Sequence, residues 1–375
     1  MSPQSHIIEV FFMRPIAEVD QNFSLGKNLN KADIRFYSVL NEPFHIDGVI
    51  PPKTEGEPFY RMPSEVAEQV NKGVAAMNPC TAGGRVRFKT DSQYVAVHVE
   101  IKDRPDLVGK FPHMALTASI GMDLYEYRDG KEHYVMTFVP AVDMTDEYES
   151  IIEFPDSRPR ELTINMPLYS GVTKMLVGLS ESAEIWPCRS YKHEVPVVYY
   201  GSSITQGGCA SRPGNSYEAM ISRRLDCNYL NLGFSGWARA EQSICDYIRQ
   251  IPMRVFVFDY DHNAPTVEHL QKTHKAFYER FREVQPDTPI IFATRPHSDA
   301  YTIWLSAEEV ETRFQIVKKT YDDAIASGDH NVYLIDGREV VAHIPDSWGV
   351  DISHPNDLGF HAMATAFGDI LEKLL

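Results

Sequence analysis

The stretch Val195-Pro196-Val197-Val198-Tyr199-Tyr200-Gly201-Ser202-Ser203-Ile204-Thr205-Gln206-Gly207-Gly208 decides how the C-terminal half folds. An apolar run of strand length ends in small residues that turn the chain sharply, so a serine hydroxyl is presented at a sheet edge ahead of a helix. Further apolar runs follow at Tyr229 to Leu232, Val255 to Phe258, Ile290 to Ala293 and Val332 to Ile335, each trailed by an amphipathic stretch of helical length. Strands alternating with helices predict a parallel sheet covered by helices, an α/β fold. The last helix is expected from about Asp357 to Leu375, with Leu358, Ala362, Ala366, Ile370 and Leu374 on one core-facing stripe.

Upstream of about Pro187 the rhythm differs. Tyr94 to Ile101 alternates, with Val95, Val97, Val99 and Ile101 on one face and His98 and Glu100 on the other. Short runs recur at Val86 to Phe88, Ala115 to Ile120, Tyr134 to Val139, Glu161 to Met166 and Met175 to Leu179, separated by turn signals such as Gly83-Gly84 and Asp129-Gly130. The expectation is an antiparallel β-sandwich over residues 1–187, without a long helix, followed by the α/β domain over 188–375.

Catalytic groups in open α/β sheets gather beyond the carboxyl ends of the strands. Four such edges carry unusual residues. The first is the Ser203 turn, which a serine-rich loop or a phosphate cradle would also explain. The second is Asn231-Leu232-Gly233-Phe234-Ser235-Gly236, where a glycine lets a backbone N–H approach a ligand. The third is Asp259-Tyr260-Asp261-His262-Asn263. The fourth is Asp351-Ile352-Ser353-His354-Pro355, where a carboxylate three residues before a histidine can accept the Nδ1–H bond and leave Nε2 facing a hydroxyl.

In order and strand context these four segments resemble the SGNH hydrolase superfamily, also called GDSL-like hydrolases, over about Glu194 to Leu375. The resemblance implies a flavodoxin-like α/β/α domain with Ser203 as nucleophile, His354 as general base and Asp351 orienting the histidine. It further implies an oxyanion hole from the N–H groups of Ser203 and Gly236 and the amide of Asn263. Two departures stand out: the usual Gly-Asp-Ser is Gly201-Ser202-Ser203, and the usual Gly-x-Asn-Asp is Asp261-His262-Asn263-Ala264. Both place the chain away from lipolytic members. Gly121-Met122-Asp123-Leu124-Tyr125 separately resembles the Gly-x-Asp-Leu-Tyr signature of the jelly-roll-like sandwich that precedes certain SGNH esterases.

Composition narrows the partners. With 36 Lys+Arg against 52 Asp+Glu, the net charge of −16 repels phosphate backbones and anionic headgroups, so neither nucleic acid nor membrane is expected to bind. The segment Met1 to Arg14 lacks a basic n-region and a small-residue cleavage site, and no apolar run approaches the ~20 residues of a membrane span. Five cysteines without a Cys-x-x-Cys pair argue against a disulfide framework or thiolate zinc site, fitting a cytoplasmic protein. Cys209 is singled out only because it follows Ser203 closely. His269 and His274 fall on different helix faces, so no metal constellation is read and no cofactor is expected.

The expected substrate is a small-molecule or oligosaccharide ester with a short acyl group. Trp237, Tyr260, His262, Arg295 and Trp348 are candidate pocket residues, of types that grip a polar ring through its hydroxyls and apolar face. An acyltransferase on the same triad and a non-catalytic sugar-binding module are the competing functions. The intact triad argues against the module, and homo-oligomerisation is left open.

Overall fold

The computed structural model describes residues 29–54, 56–101, 111–141, 144–297 and 306–375; the N-terminal Met1 to Arg14 reading lies outside them. The first part contains β1 (Ile34–Ser38), β2 (His45–Asp47), β3 (Arg85–Thr90), β4 (Tyr94–Glu100), β5 (Met122–Arg128), β6 (Lys131–Phe138), β7 (Glu147–Glu153), β8 (Arg160–Asn165), β9 (Lys174–Ser180) and β10 (Ile185–Trp186). Two antiparallel sheets result, one ordered β1-β9-β4-β7 and the other β10-β3-β8-β5-β6 with β2 beside β3. Their facing side chains, among them Val86, Phe88, Val95, Val97, Leu124, Ile164 and Val177, make one apolar core. The polar face of β4 is partly covered as well, because Tyr94 and Ala96 pack with Ile151 of β7.

Local readings change in several places. Ala115 to Ile120 is a helical turn, Leu116–Ser119, rather than a strand. Apolar runs this short do not separate the two by periodicity, and here the chain is bent by the Gly121 N–H bonding back to Leu116 O at 2.8 Å. Helices Ser64–Val70 and Lys72–Met77 stand where the first half of the sequence is expected to hold strands alone. The charged run Glu147–Glu153 is also a strand, at the end of its sheet, with Glu147, Glu149 and Glu153 exposed and Tyr148 and Ile152 in the core.

The second part is a parallel sheet of β11 (His193–Gly201), β12 (Cys227–Gly233), β13 (Val255–Asp259), β14 (Ile290–Ala293) and β15 (Val332–Ile335), in the order β12-β11-β13-β14-β15. Side chains alternate across it. Val197 and Tyr199 pack under helices Tyr217–Leu225 and Asp357–Leu374, whereas Val198 and Tyr200 pack with Ile244, Phe277 and Val317 of helices on the opposite face. Met62, Ala67 and Val74, from the earlier half of the chain, complete this second layer. In the last helix the buried row is Phe360, Met363, Phe367 and Leu371, while Leu358 is 45% exposed. A strict four-residue stripe drifts about 40° around the axis per step at 3.6 residues per turn, so the core takes a mixture of threes and fours.

The Gly-Met-Asp-Leu-Tyr segment joins the two parts. Asp123, fully buried, accepts from Asn165 Nδ2 at 2.8 Å, Arg212 Nη1 at 3.0 Å and the Gly214 N–H at 2.9 Å. Arg212 also donates to Tyr125 Oη. The loop so gripped continues to Ser211 and Asn215, both bonded to Asp357 at the start of the last helix.

Candidate active site

The strand order places β11 between β12 and β13, where connections leave in opposite directions, and ligands of open sheets bind outside the carboxyl ends at such a switch point. Gly201 pairs level with Gly233 on one side and Asp259 on the other, so three strands end together. A Cβ on Gly201 would collide with the Thr205 side chain and the Asp259 carbonyl. The turn that follows is capped by Ser202, whose Oγ accepts from Ile204 N at 3.1 Å, and Ser203 opens the one-turn helix Ser203–Gln206. As a first helical residue, Ser203 has an N–H without an intrahelical acceptor.

Ser203 Oγ lies 2.9 Å from His354 Nε2, and His354 Nδ1 lies 2.9 Å from Asp351 Oδ2. The other oxygen, Asp351 Oδ1, accepts the backbone N–H groups of Ser353 at 2.7 Å and His354 at 2.6 Å. Burial alone would raise this carboxyl, but the bonds from the His354 ring and these two N–H groups hold it below the ordinary value. An ionised carboxylate only accepts, so the histidine carries its proton on Nδ1 and Nε2 can accept from the serine. The loop is pinned beyond His354 by Asn356, which caps the last helix through Leu358 N and Gly359 N.

Gly236 sits exposed in the turn after β12 at φ +73°, a conformation that favours glycine, with open space where a side chain would stand. Asn263 closes the 3-10 turn Asp261–Asn263 and donates through Nδ2 to Phe234 O at 2.9 Å, leaving its second amide proton for a ligand. Phe234 N in turn donates to Gly201 O at 2.8 Å, so the three loop edges are tied together. Two buried arginines brace them. Arg313 Nη1 bonds the carbonyls of Asp261 and Ala264, both at 3.0 Å, and Arg61 reaches Gly233 O and Met77 O while lying over the Phe234 ring.

The remaining candidates divide. His262 is beside the Ser203, His354 and Asp351 chain, its Nε2 2.8 Å from Ser353 Oγ and its ring 6.5 Å from that of His354. Burial, reinforced by Arg295 and His354, keeps it neutral. Arg295 is half-buried, and its backbone N–H bonds Asp261 Oδ1 at 3.1 Å; burial pushes that aspartate up to about 6. Tyr260 does not face a pocket: it is fully buried, stacked on Phe258 and His274, with Oη bonded to Thr273. Trp348 is likewise core, packed in the layer of Phe360 and Phe367. Trp237 is wedged against Gly73, under Lys72 and Arg239. An indole or phenol reads the same in sequence whether it caps a pocket or fills a core.

The sandwich, expected to border the same cleft because ligand sites favour domain interfaces, contributes residues that sequence reasoning did not name. Backbone bonds from Leu168 N to Ala118 O and Tyr169 N to Ser119 O set the segment that brings Tyr169 Oη to Ser203 O at 3.2 Å. Phe111 packs edge-on to Tyr169, and the exposed His113 ring lies 5.7 Å from that of His354. His113, Cys209 and His354 also offer three ligand atoms within 4.8 Å of one another, contrary to the expectation that the histidines lack such a grouping. No local signal could have shown it, because the three come from different parts of the chain. Among the described residues no helix is long and apolar enough to cross a membrane.

Known proteins share this architecture. Residues 194–372 match the GDSL-like lipase/acylhydrolase family, and residues 34–185 match the family describing the N-terminus of SGNH-hydrolase-type esterases. No curated protein sequence matches. A structure from Bacteroides ovatus, named for its likeness to GDSL lipases, is 26% identical with a TM-score of 0.80, covering 91% of this chain and 98% of its own. A salicylyl-acyltransferase from a tetracycline biosynthetic pathway shares the fold at 20% identity and a TM-score of 0.73, over 92% and 99% of the two chains. An acetyl xylan esterase from Butyrivibrio proteoclasticus shares it at 12% identity and 0.53, over 91% and 98%. The chain therefore belongs to the SGNH, or GDSL-like, hydrolases of the two-domain esterase type, in which a Gly-x-Asp-Leu-Tyr sandwich precedes the hydrolase domain.

Proposed function

We propose that this protein is a serine esterase that removes short acyl groups, acetate above all, from a hydroxylated, sugar-like alcohol. The observation that carries the reading is the unbroken chain Ser203 Oγ, His354, Asp351, with both links at 2.9 Å. As Ser203 attacks the ester carbonyl, His354 Nε2 takes its proton, and the resulting imidazolium is held by Asp351. The tetrahedral oxyanion is met by the N–H groups of Ser203 and Gly236 and by Asn263 Nδ2. His354 then returns the proton to the departing alkoxide, and water, deprotonated by the same histidine, releases the acid from the acyl-enzyme.

The alcohol is assigned from the rim. His262, Arg295 and His113 supply polar groups, and Phe111, 40% exposed, supplies a flat apolar face, a combination suited to a hydroxylated ring. The fold shared with an acetyl xylan esterase is compatible with that choice; the fold shared with an acyltransferase keeps an alcohol acceptor in view as the second reading.

The test compares p-nitrophenyl acetate, butyrate and octanoate, then acetylated xylo-oligosaccharides, with and without glycerol as acceptor. Ser203→Ala should lower kcat by at least 10³-fold without changing the unfolding midpoint, since the hydroxyl is the nucleophile and packs little. A higher kcat/KM for octanoate with no sugar deacetylation would overturn the substrate class. Acyl-glycerol formation outpacing hydrolysis would make the protein a transferase.

A further inference from the structure

The His113, Cys209 and His354 grouping has a chemistry that ester hydrolysis does not use. Cys209 is buried beside the triad and its N–H bonds Pro355 O at 3.3 Å, which fixes it against the His354 loop. His113 approaches from the sandwich and is exposed, so its ring can turn. His354 has Nδ1 committed to Asp351, leaving Nε2 as its metal-binding atom. Two imidazoles and a thiol are a borderline-soft donor set that suits zinc.

We propose that these three side chains form an inhibitory zinc site that silences the enzyme by capturing its general base. The inhibition, though not the metal binding itself, rests on the function proposed above. Ideal Zn–N and Zn–S bonds of about 2.0–2.3 Å put tetrahedral ligand atoms roughly 3.5 Å apart. The three ligand atoms, all within 4.8 Å of one another, reach that spacing by side-chain rotation, the exposed His113 ring being the freest to turn. On binding, the Cys209 Sγ–H bond breaks, its proton passes to water, and one Zn–S and two Zn–N bonds form. The Ser203 to His354 hydrogen bond is lost, and a water completes the tetrahedron. Asp351 then serves as the carboxylate partner that metal-bound histidines commonly have, so the contact that prepares the base also prepares the ligand. Burial holds the free thiol near a pKa of about 12, so thiolate formation must come from the metal ion itself.

The experiment uses the full chain stripped with EDTA. Cobalt(II) is added as a coloured zinc surrogate and thiolate-to-cobalt charge transfer is recorded; zinc binding is measured by calorimetry and inhibition with p-nitrophenyl acetate. The expected results are a charge-transfer band, one zinc per chain, and inhibition reversed by EDTA. Cys209→Ser should abolish the band, Cys209→Ser and His113→Ala should each weaken zinc at least tenfold relative to the parent, and Ser203→Ala should keep both band and affinity. Inhibition is scored against each variant's own metal-free rate. Absence of the band, or unchanged zinc affinity in His113→Ala and Cys209→Ser, overturns the site. A band in a chain with no esterase activity would sustain the site and defeat the functional reading instead.

Discussion

Asp123→Ala tests whether the Gly-Met-Asp-Leu-Tyr segment works as a clamp between the two parts of the molecule. All three of its partners are donors: Asn165 Nδ2, Arg212 Nη1 and the Gly214 N–H. Removing a buried carboxylate strands Arg212 and an amide proton, and breaking a buried pair in this way costs about 3–5 kcal/mol. Asp123→Asn should be much milder. The Asn165 amide can flip to present its oxygen to the new NH2, and the remaining carbonyl oxygen still meets Arg212 and Gly214, so mainly the charge is lost, about 1–2 kcal/mol. The unfolding entropy of about 2.1 cal/mol/K per residue converts this to a midpoint. If all 375 residues melt together, Asp123→Ala lowers Tm by about 4–6 °C. If the sandwich, residues 34–185, melts as its own unit, the fall is about 9–16 °C in one of two transitions. Differential scanning calorimetry reads both the size and the number of transitions. A Tm within about 1 °C of the parent, or an asparagine variant as damaged as the alanine one, would refute the clamp.

Asp351→Asn should lower kcat by about 10³–10⁴-fold with little change in KM. Its NH2 must face either His354 Nδ1 or the two backbone N–H groups, spoiling the tautomer or the loop; a loss under threefold in steady-state kinetics would contradict the role assigned to Asp351. Asn263→Ala should cost about 10²-fold in kcat through the oxyanion, and an effect confined to KM would assign it to substrate binding alone. Glu218 is fully buried, and that burial raises its pKa well above the usual 4.5, outweighing the hydrogen bonds offered by Ser216 and Tyr217. The folded state thus holds the proton more tightly than the unfolded one. Its cost is absent below the unfolded pKa and grows as pH rises toward the folded value. The Tm gain of Glu218→Gln should therefore be larger at pH 8 than at pH 5, and a pH-independent difference would contradict the assignment.

Whatever is written in local pattern can be read from the residues in order. Runs such as Val255 to Phe258 are strands because nothing but burial suits them, and Ser203, Gly236, Asn263 and the Asp351 to His354 turn are legible because each lies directly after a strand or before a helix. The Asp351 to His354 contact spans one turn, so its geometry follows from spacing alone. Packing between distant segments sets the remainder. Tyr260 and Trp348 resemble pocket residues until packing buries them against Phe258 and Phe360. The turn at Leu116–Ser119, ambiguous as a short apolar run, is settled by its hold on Leu168 and Tyr169. The approach of His113 and Cys209 to His354, the bracing by Arg61 and Arg313, and the grip of Asp123 on Arg212 and Gly214 join residues remote in sequence. No periodicity encodes such meetings, because they depend on how two independently patterned layers dock, and docking is settled by shape and by the pairing of buried charges.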